Sequence, residues 1–187
     1  MPLLTFVSTA LVIFVAELGD KTMLTTLCLG ARFKRPTLVV LSSILALAVA
    51  SGIAVIVAVV LSFALPIQVI LYMSGILFIV MGGHTLVFKD NDPSEYCDNP
   101  KSMLSMFSLV LFSELGDKSQ IAILSIAAQS AYPILVFAGS FASFLLLSGL
   151  SAFAGDRLAE RFPTRKVQIV TGVLFFVIGF LIIFNLI

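Results

Sequence analysis

The sequence predicts an all-α membrane protein of six transmembrane helices, laid out as two inverted three-helix repeats, and three observations carry that prediction. Of the 187 residues, 60% are hydrophobic and only 11% charged, with a mean hydropathy of +1.16; soluble domains carry roughly 25% charged residues. Six apolar runs, at about 3–29, 37–61, 66–88, 103–129, 133–155 and 166–187, each reach the roughly 20 helical residues that a hydrocarbon core of about 30 Å requires. A shift of 97 positions, from Glu17 to Glu114, lays the first half over the second without a gap.

Taken in order, the first run opens at Met1-Pro2 with no basic segment and no small-residue cleavage site ahead of Glu17, so it is expected to remain as a span and not to be removed as a signal peptide. Runs two and five begin at Pro36 and Pro133, and runs three and six follow Pro66 and Pro163, each near a first helical turn where a missing N–H costs little. Run three carries Gly75 and Gly82, seven apart, and run six carries Gly172 and Gly179 at matching places, one face of each helix being open to close backbone approach. Ser43 and Ser140 also coincide under the shift, as do Ser51-Gly52 and Ser148-Gly149. The expected units are a first three-helix repeat at 1–88, an acidic linker at 89–102 and a second repeat at 103–187.

Loop charge sets the expected topology. Arg32, Lys34 and Arg35 lie in the first loop, Lys89 and Lys101 in the third, and Arg157, Arg161, Arg165 and Lys166 in the fifth, while the second and fourth carry no Lys or Arg. By the positive-inside rule the odd loops face the cytoplasm and both termini face out. A repeat with an odd number of spans then inverts the second copy relative to the first, the plan of many secondary transporters.

Against this apolar background, Glu17-Leu18-Gly19-Asp20-Lys21-Thr22 and Glu114-Leu115-Gly116-Asp117-Lys118-Ser119 place four acids and two lysines deep inside runs one and four. A charge at the bilayer centre costs at least about 2.5–3.5 kcal/mol, so these side chains are expected to face the bundle interior or water. The structural alternative is i,i+4 ion pairing of Glu17 with Lys21 and Glu114 with Lys118; buried ion pairs, however, stabilise poorly against apolar packing. Four carboxylates brought together by the two copies are hard oxygen ligands suited to calcium, magnesium or manganese, and no His or Cys accompanies them. With the lysines they sum to −2, the complement of one divalent ion. A site that exchanges such an ion for about two protons is a minimal antiport device.

Gly19 and Gly116 permit either close helix contact or a local break that frees carbonyls, and the sequence leaves both open. Beyond the aspartates the copies differ: Met23 stands where the second has Gln120. The Gln120 amide oxygen is a candidate ligand, and a Met23 thioether would favour manganese over calcium or magnesium, though core packing also accounts for Met23. Thr22 and Ser119 are expected in supporting roles, with their own helix backbone as the other partner.

Paired E-φ-G-D-(K/R)-(S/T) motifs, one per three-helix repeat, resemble those of the Mn²⁺/Ca²⁺:H⁺ antiporter family of bacterial membranes, chloroplasts and the Golgi. The resemblance spans essentially the whole chain. It implies proton-driven export of a divalent cation, Mn²⁺ before Ca²⁺, with Glu17, Asp20, Glu114 and Asp117 as ligands and Lys21, Thr22, Lys118 and Ser119 in support. The short loops resemble bacterial members, which implies a multi-pass protein of the inner membrane. Its substrates would be the metal and protons, with no resident cofactor and no catalytic residue.

Other features are read as structural. Asp90, Asp92, Glu95 and Asp98 alternate like a calcium loop, but Glu95 stands where an EF-hand needs glycine and Lys101 where it needs glutamate. His84 is read as an interfacial or packed side chain, and Asp156, Arg157, Glu160 and Arg161 as an exposed helix extension with local ion pairs. Cys28 and Cys97 form no C-x-x-C pair and are read as unpaired. With a net charge of +1 and short basic clusters, neither nucleic acid nor an acidic protein is indicated as a partner; self-association stays open. Two further functions compete: a divalent-cation channel without proton coupling, and a membrane metalloenzyme, for which the sequence offers no nucleophile and base outside the motif.

Overall fold

The computed structural model describes residues 1–18, 20–32, 36–87, 102–158 and 164–184, and within these all regular structure is α-helical. Eight helices are described: α1 (Pro2–Glu17), α2 (Lys21–Arg32), α3 (Pro36–Ala64), α4 (Ile67–Val87), α5 (Met103–Glu114), α6 (Lys118–Gln129), α7 (Pro133–Leu158) and α8 (Thr164–Ile183). Four of them, α3, α4, α7 and α8, are long and apolar enough to cross a membrane. The remaining four are half-length and come in pairs. Runs one and four, expected as single spans, are each divided at the acidic motif into α1 and α2 or α5 and α6.

The 97-residue shift reappears in the helix starts: Lys21 and Lys118, Pro36 and Pro133, Ile67 and Thr164. It also reappears in packing. Helix α2 lies on α7 as α6 lies on α3, and α1 lies on α7 as α5 lies on α3, while α3 packs on α7 and α4 on α8, each against its own counterpart.

The α4–α8 contact shows how the glycines are used. A Cβ on Gly82 would stand 2.8 Å from the Gly172 carbonyl oxygen, and one on Gly179 would stand 2.7 Å from that of Gly75. Rising residue numbers along α4 therefore meet falling numbers along α8, so the two helices run antiparallel. Between the glycine contacts sit Phe78 and Phe175, themselves 97 apart, with ring centroids at 5.5 Å.

Side-chain size is sorted in the sense expected of a bundle in hydrocarbon. On α3, Ser43, Ala46, Ala50 and Ala54 are buried, whereas Leu45, Val49, Ile53 and Ile56 are exposed. Helices in lipid associate through close packing of small residues and interhelical hydrogen bonds, since the surroundings are as apolar as leucine. Between α1 and α7, Gly139 lets the chains approach so closely that a Cβ there would lie 2.7 Å from the Phe6 carbonyl oxygen, and the Ser143 hydroxyl donates to the Ala10 carbonyl at 2.5 Å.

His84 lies on an exposed face in the last turn of α4. The acidic loop Asp90–Asp98 with Cys97, the basic residues Lys34 and Arg35, and Glu160 and Arg161 fall outside the described residues, as do the side chains of Cys28, Arg32, Asp156 and Arg157.

Candidate metal centre

The second motif shows how the chain breaks a helix in the middle of a hydrophobic run. After Glu114, Leu115 is extended at φ −63° and ψ 110°, and Gly116 takes a φ of 86°, a conformation without steric cost only for glycine. The Asp117 N–H then donates to the Glu114 carbonyl at 3.1 Å, and α6 restarts with Asp117 as its N-cap. In the first motif Leu18 is likewise extended, and the Asp20 N–H donates to the Glu17 carbonyl at 3.1 Å. Of the two roles open to these glycines, Gly116 takes the local break; Gly19 lies outside the described residues.

An N-cap aspartate ordinarily turns its carboxylate back onto the first helical N–H groups. Asp117 makes no such bond. Its carboxylate instead joins those of Glu17 and Glu114, and one oxygen from each lies within 4.8 Å of the others. Glu17 and Glu114 are each only 1% exposed. The Ser119 hydroxyl donates to Glu114 Oε2 at 3.2 Å. Glu17 Oε1 is fully buried with no hydrogen-bond partner among the described residues. A buried carboxylate oxygen left unpaired is costly unless a ligand completes it.

Asp20 stands outside this triad. It lies against Asp117, and its Oδ1 accepts from Lys118 Nζ at 2.7 Å. That ion pair crosses between the two motifs. The i,i+4 geometry considered for Glu114 and Lys118 needs a continuous helix, and the helix is interrupted between them. The side chains of Lys21 and Thr22 lie outside the described residues.

Gln120 bonds to two backbone groups. As the third residue after the N-cap, its Oε1 accepts from the Gly116 N–H at 2.9 Å, one residue beyond the usual reach of a capping box, while its Nε2 donates to the Ala50 carbonyl of α3 at 3.0 Å. The D-x-x-Q spacing was the available sequence signal for this role. Met23, its counterpart, is buried and lines a small cavity with Glu17.

Three residues that the motif alone does not point to surround the ion pair. Thr85 of α4 and Gln168 and Thr171 of α8 line a narrow crevice with Asp20 and Lys118, and the Thr171 hydroxyl donates to the Val15 carbonyl in the last turn of α1 at 3.3 Å. The signal for Thr171 was its repeat mate Ser74; Gln168 faces Leu71 under the shift and had only its polarity to mark it.

Three carboxylates around one point, at the breaks between half-helices, are a set of hard oxygen donors that could hold a cation. The family described as divalent cation/proton antiporter GDT1 matches residues 5–93 and 102–186. A Vibrio cholerae protein named "Putative manganese exporter" is 28% identical over 162 residues, 86% of this chain and 81% of that protein. The Saccharomyces cerevisiae "Divalent cation/proton antiporter GDT1" is 34% identical over 82 residues, 44% of this chain and 29% of the yeast protein. No solved structure matches the chain. On the family match, which takes in both motifs and every described helix, this chain belongs to the GDT1 family of divalent cation/proton antiporters, a family of transporters and not of enzymes.

Proposed function

We propose that this chain exchanges a divalent cation, Mn²⁺ in preference to Ca²⁺, for protons across a bacterial inner membrane, and that it exports the metal from the cytoplasm. The observation that carries the reading is the meeting of Glu17, Glu114 and Asp117, one oxygen from each within 4.8 Å, at two broken helices. Transporters bind ions near the midplane at discontinuous helices whose termini and acids face the substrate. Here Glu17, Glu114 and Asp117 are the ligands, Ser119 orients Glu114, and Asp20 is held ready by Lys118. Gln120 holds the second break in shape.

In this reading α1 with α2, and α5 with α6, each complete one span, for six in all, and residues 1–88 and 103–187 form repeats of opposite orientation joined by a cytoplasmic linker at 89–102. The antiparallel α4–α8 pair and the reciprocal packing of the other helices support it. Both termini lie outside, and the basic odd loops lie in the cytoplasm. Proton coupling follows from the charge balance. Four carboxylates and two lysines leave −2, which one divalent ion or about two protons can neutralise.

The test is transport by the purified chain in liposomes containing a pH-sensitive dye. Mn²⁺-dependent proton movement in the opposite direction is expected. Metal flux without proton movement would make the protein a channel, and absence of any flux would end the transport reading.

A further inference from the structure

The two halves of the site differ at the position held by Met23 in the first and Gln120 in the second, and a small cavity lies on the Met23 side. In the second half Gln120 occupies its place with two backbone bonds, to the Gly116 N–H at 2.9 Å and the Ala50 carbonyl at 3.0 Å. Met23, at the same position in the first half, has no amide with which to make either bond. There, Glu17, Met23, Thr26 and Ser148 surround a cavity of about 10 Å³ backed by Leu47, Leu147 and Phe144, close to the room one water-sized occupant needs. Glu17, whose Oε1 is fully buried and without a hydrogen-bond partner among the described residues, forms part of its wall. Leu47 and Phe144 are 97 apart and so are each other's counterparts, whereas Thr26 has Ile123 as its counterpart, so the hydroxyl it gives the cavity is not repeated in the second half.

We propose that this cavity is the selectivity chamber of the transported ion, with Met23 as the residue that sets metal preference. The inference rests on the cation-transport reading and adds to it a second position beside the Glu17, Glu114 and Asp117 cluster, with Glu17 common to both, and what tells metals apart there. An ion held by Glu17 on this side meets the Met23 thioether and the Thr26 and Ser148 hydroxyls. Carboxylate and hydroxyl oxygens serve Ca²⁺, Mg²⁺ and Mn²⁺ alike, whereas a thioether contributes to the softer ion and offers Ca²⁺ little. Placed so, Met23 favours Mn²⁺, and favours the still softer Cd²⁺ more. The ion sits nearer the first repeat because the equivalent position in the second is taken by the bonded Gln120 amide.

Two variants and two readouts test this in the full chain. Leucine replaces methionine with little change of volume, so Met23→Leu should fold, which a melting curve in detergent checks. In liposomes its KM for Mn²⁺ and Cd²⁺ should rise about tenfold, equivalent to about 1.4 kcal/mol, with KM for Ca²⁺ unchanged. Met23→Gln supplies a hard oxygen and should shift preference further toward Ca²⁺. An unaltered ratio of Mn²⁺ to Ca²⁺ KM in Met23→Leu overturns the proposal while leaving the transport reading standing. X-ray absorption on the purified protein with bound Cd²⁺ does not depend on transport. A sulfur neighbour in the native chain that is lost in Met23→Leu is the expected result, and an all-oxygen shell in the native chain refutes the assignment.

Discussion

Lys118 Nζ, on the first residue of α6, lies 2.7 Å from Asp20 Oδ1, on the residue that precedes α2. The two copies of one motif are therefore joined by a charge from each, at a point where the Asp20 side chain is only 3% exposed. In the low dielectric of such a site a paired charge is tolerable and a lone one is not.

This pair should register as energetic coupling between the repeats. Lys118→Met and Asp20→Asn, alone and combined, should give a double-mutant coupling within about 0.5–3 kcal/mol, the range of directly interacting groups, with Lys118→Arg close to the native chain. Thermal denaturation in detergent measures it. Additive effects of the two single changes would show that the contact does not hold the halves together.

Glu17→Gln separates ligand from scaffold. Glu17 Oε1 has no hydrogen-bond partner among the described residues, so the neutral isostere removes a buried acid without breaking a described bond at that atom, and the melting temperature should stay level or rise. Apparent metal affinity should fall by at least about tenfold, the low end of what even a supporting residue costs at metal sites. A variant that melts earlier yet transports normally would reverse both assignments.

Gly116→Ala isolates the backbone strain at the break. A Cβ there meets nothing within 4 Å, yet the φ of 86° is one that L side chains rarely adopt. The expected loss is about 1–2 kcal/mol from the left-handed conformation alone, with Gly116→Asn milder because asparagine visits that region more readily. Equal stability for native, Ala and Asn forms would mean that the break does not depend on glycine.

On α4, two adjacent glycines predict opposite outcomes. A Cβ on Gly82 would lie 2.7 Å from the Phe176 nitrogen and 2.8 Å from the Gly172 oxygen, both backbone atoms that cannot swing aside, while one on Gly83 meets nothing within 4 Å. Gly82→Ala should destabilise by about 1–3 kcal/mol as overpacking does, and Gly83→Ala should be neutral or stabilise slightly through helix propensity. Matching melting temperatures for the two variants would contradict the close α4–α8 contact.

Much of the architecture was legible from one dimension. Apolar run lengths, the positions of Pro36 and Pro133 and the 97-residue register all anticipate features of the helices, because in hydrocarbon a helix satisfies its backbone within its own segment. The motif acids stood out in the sequence because charges in an apolar run need a reason. The division of runs one and four was left open, since a glycine between two charged residues serves close contact and a break equally well. Gln120 was read as a candidate ligand on its depth and polarity, and its bonds to Gly116 and Ala50 required the path of α3 to be known.

The sequence by itself determined that this protein is a helical membrane chain with a duplicated acidic motif, because hydrophobicity, helix propensity and repeat spacing are properties of local segments. Only the tertiary structure decided that Lys118 faces Asp20 of the other copy, that Gly75 meets Gly179 and that Glu17 joins Glu114 and Asp117 while Met23 leaves a cavity beside it. Those relations link residues far apart in the chain, and they are set by how antiparallel helices pack small side chains against backbone, which no local pattern encodes.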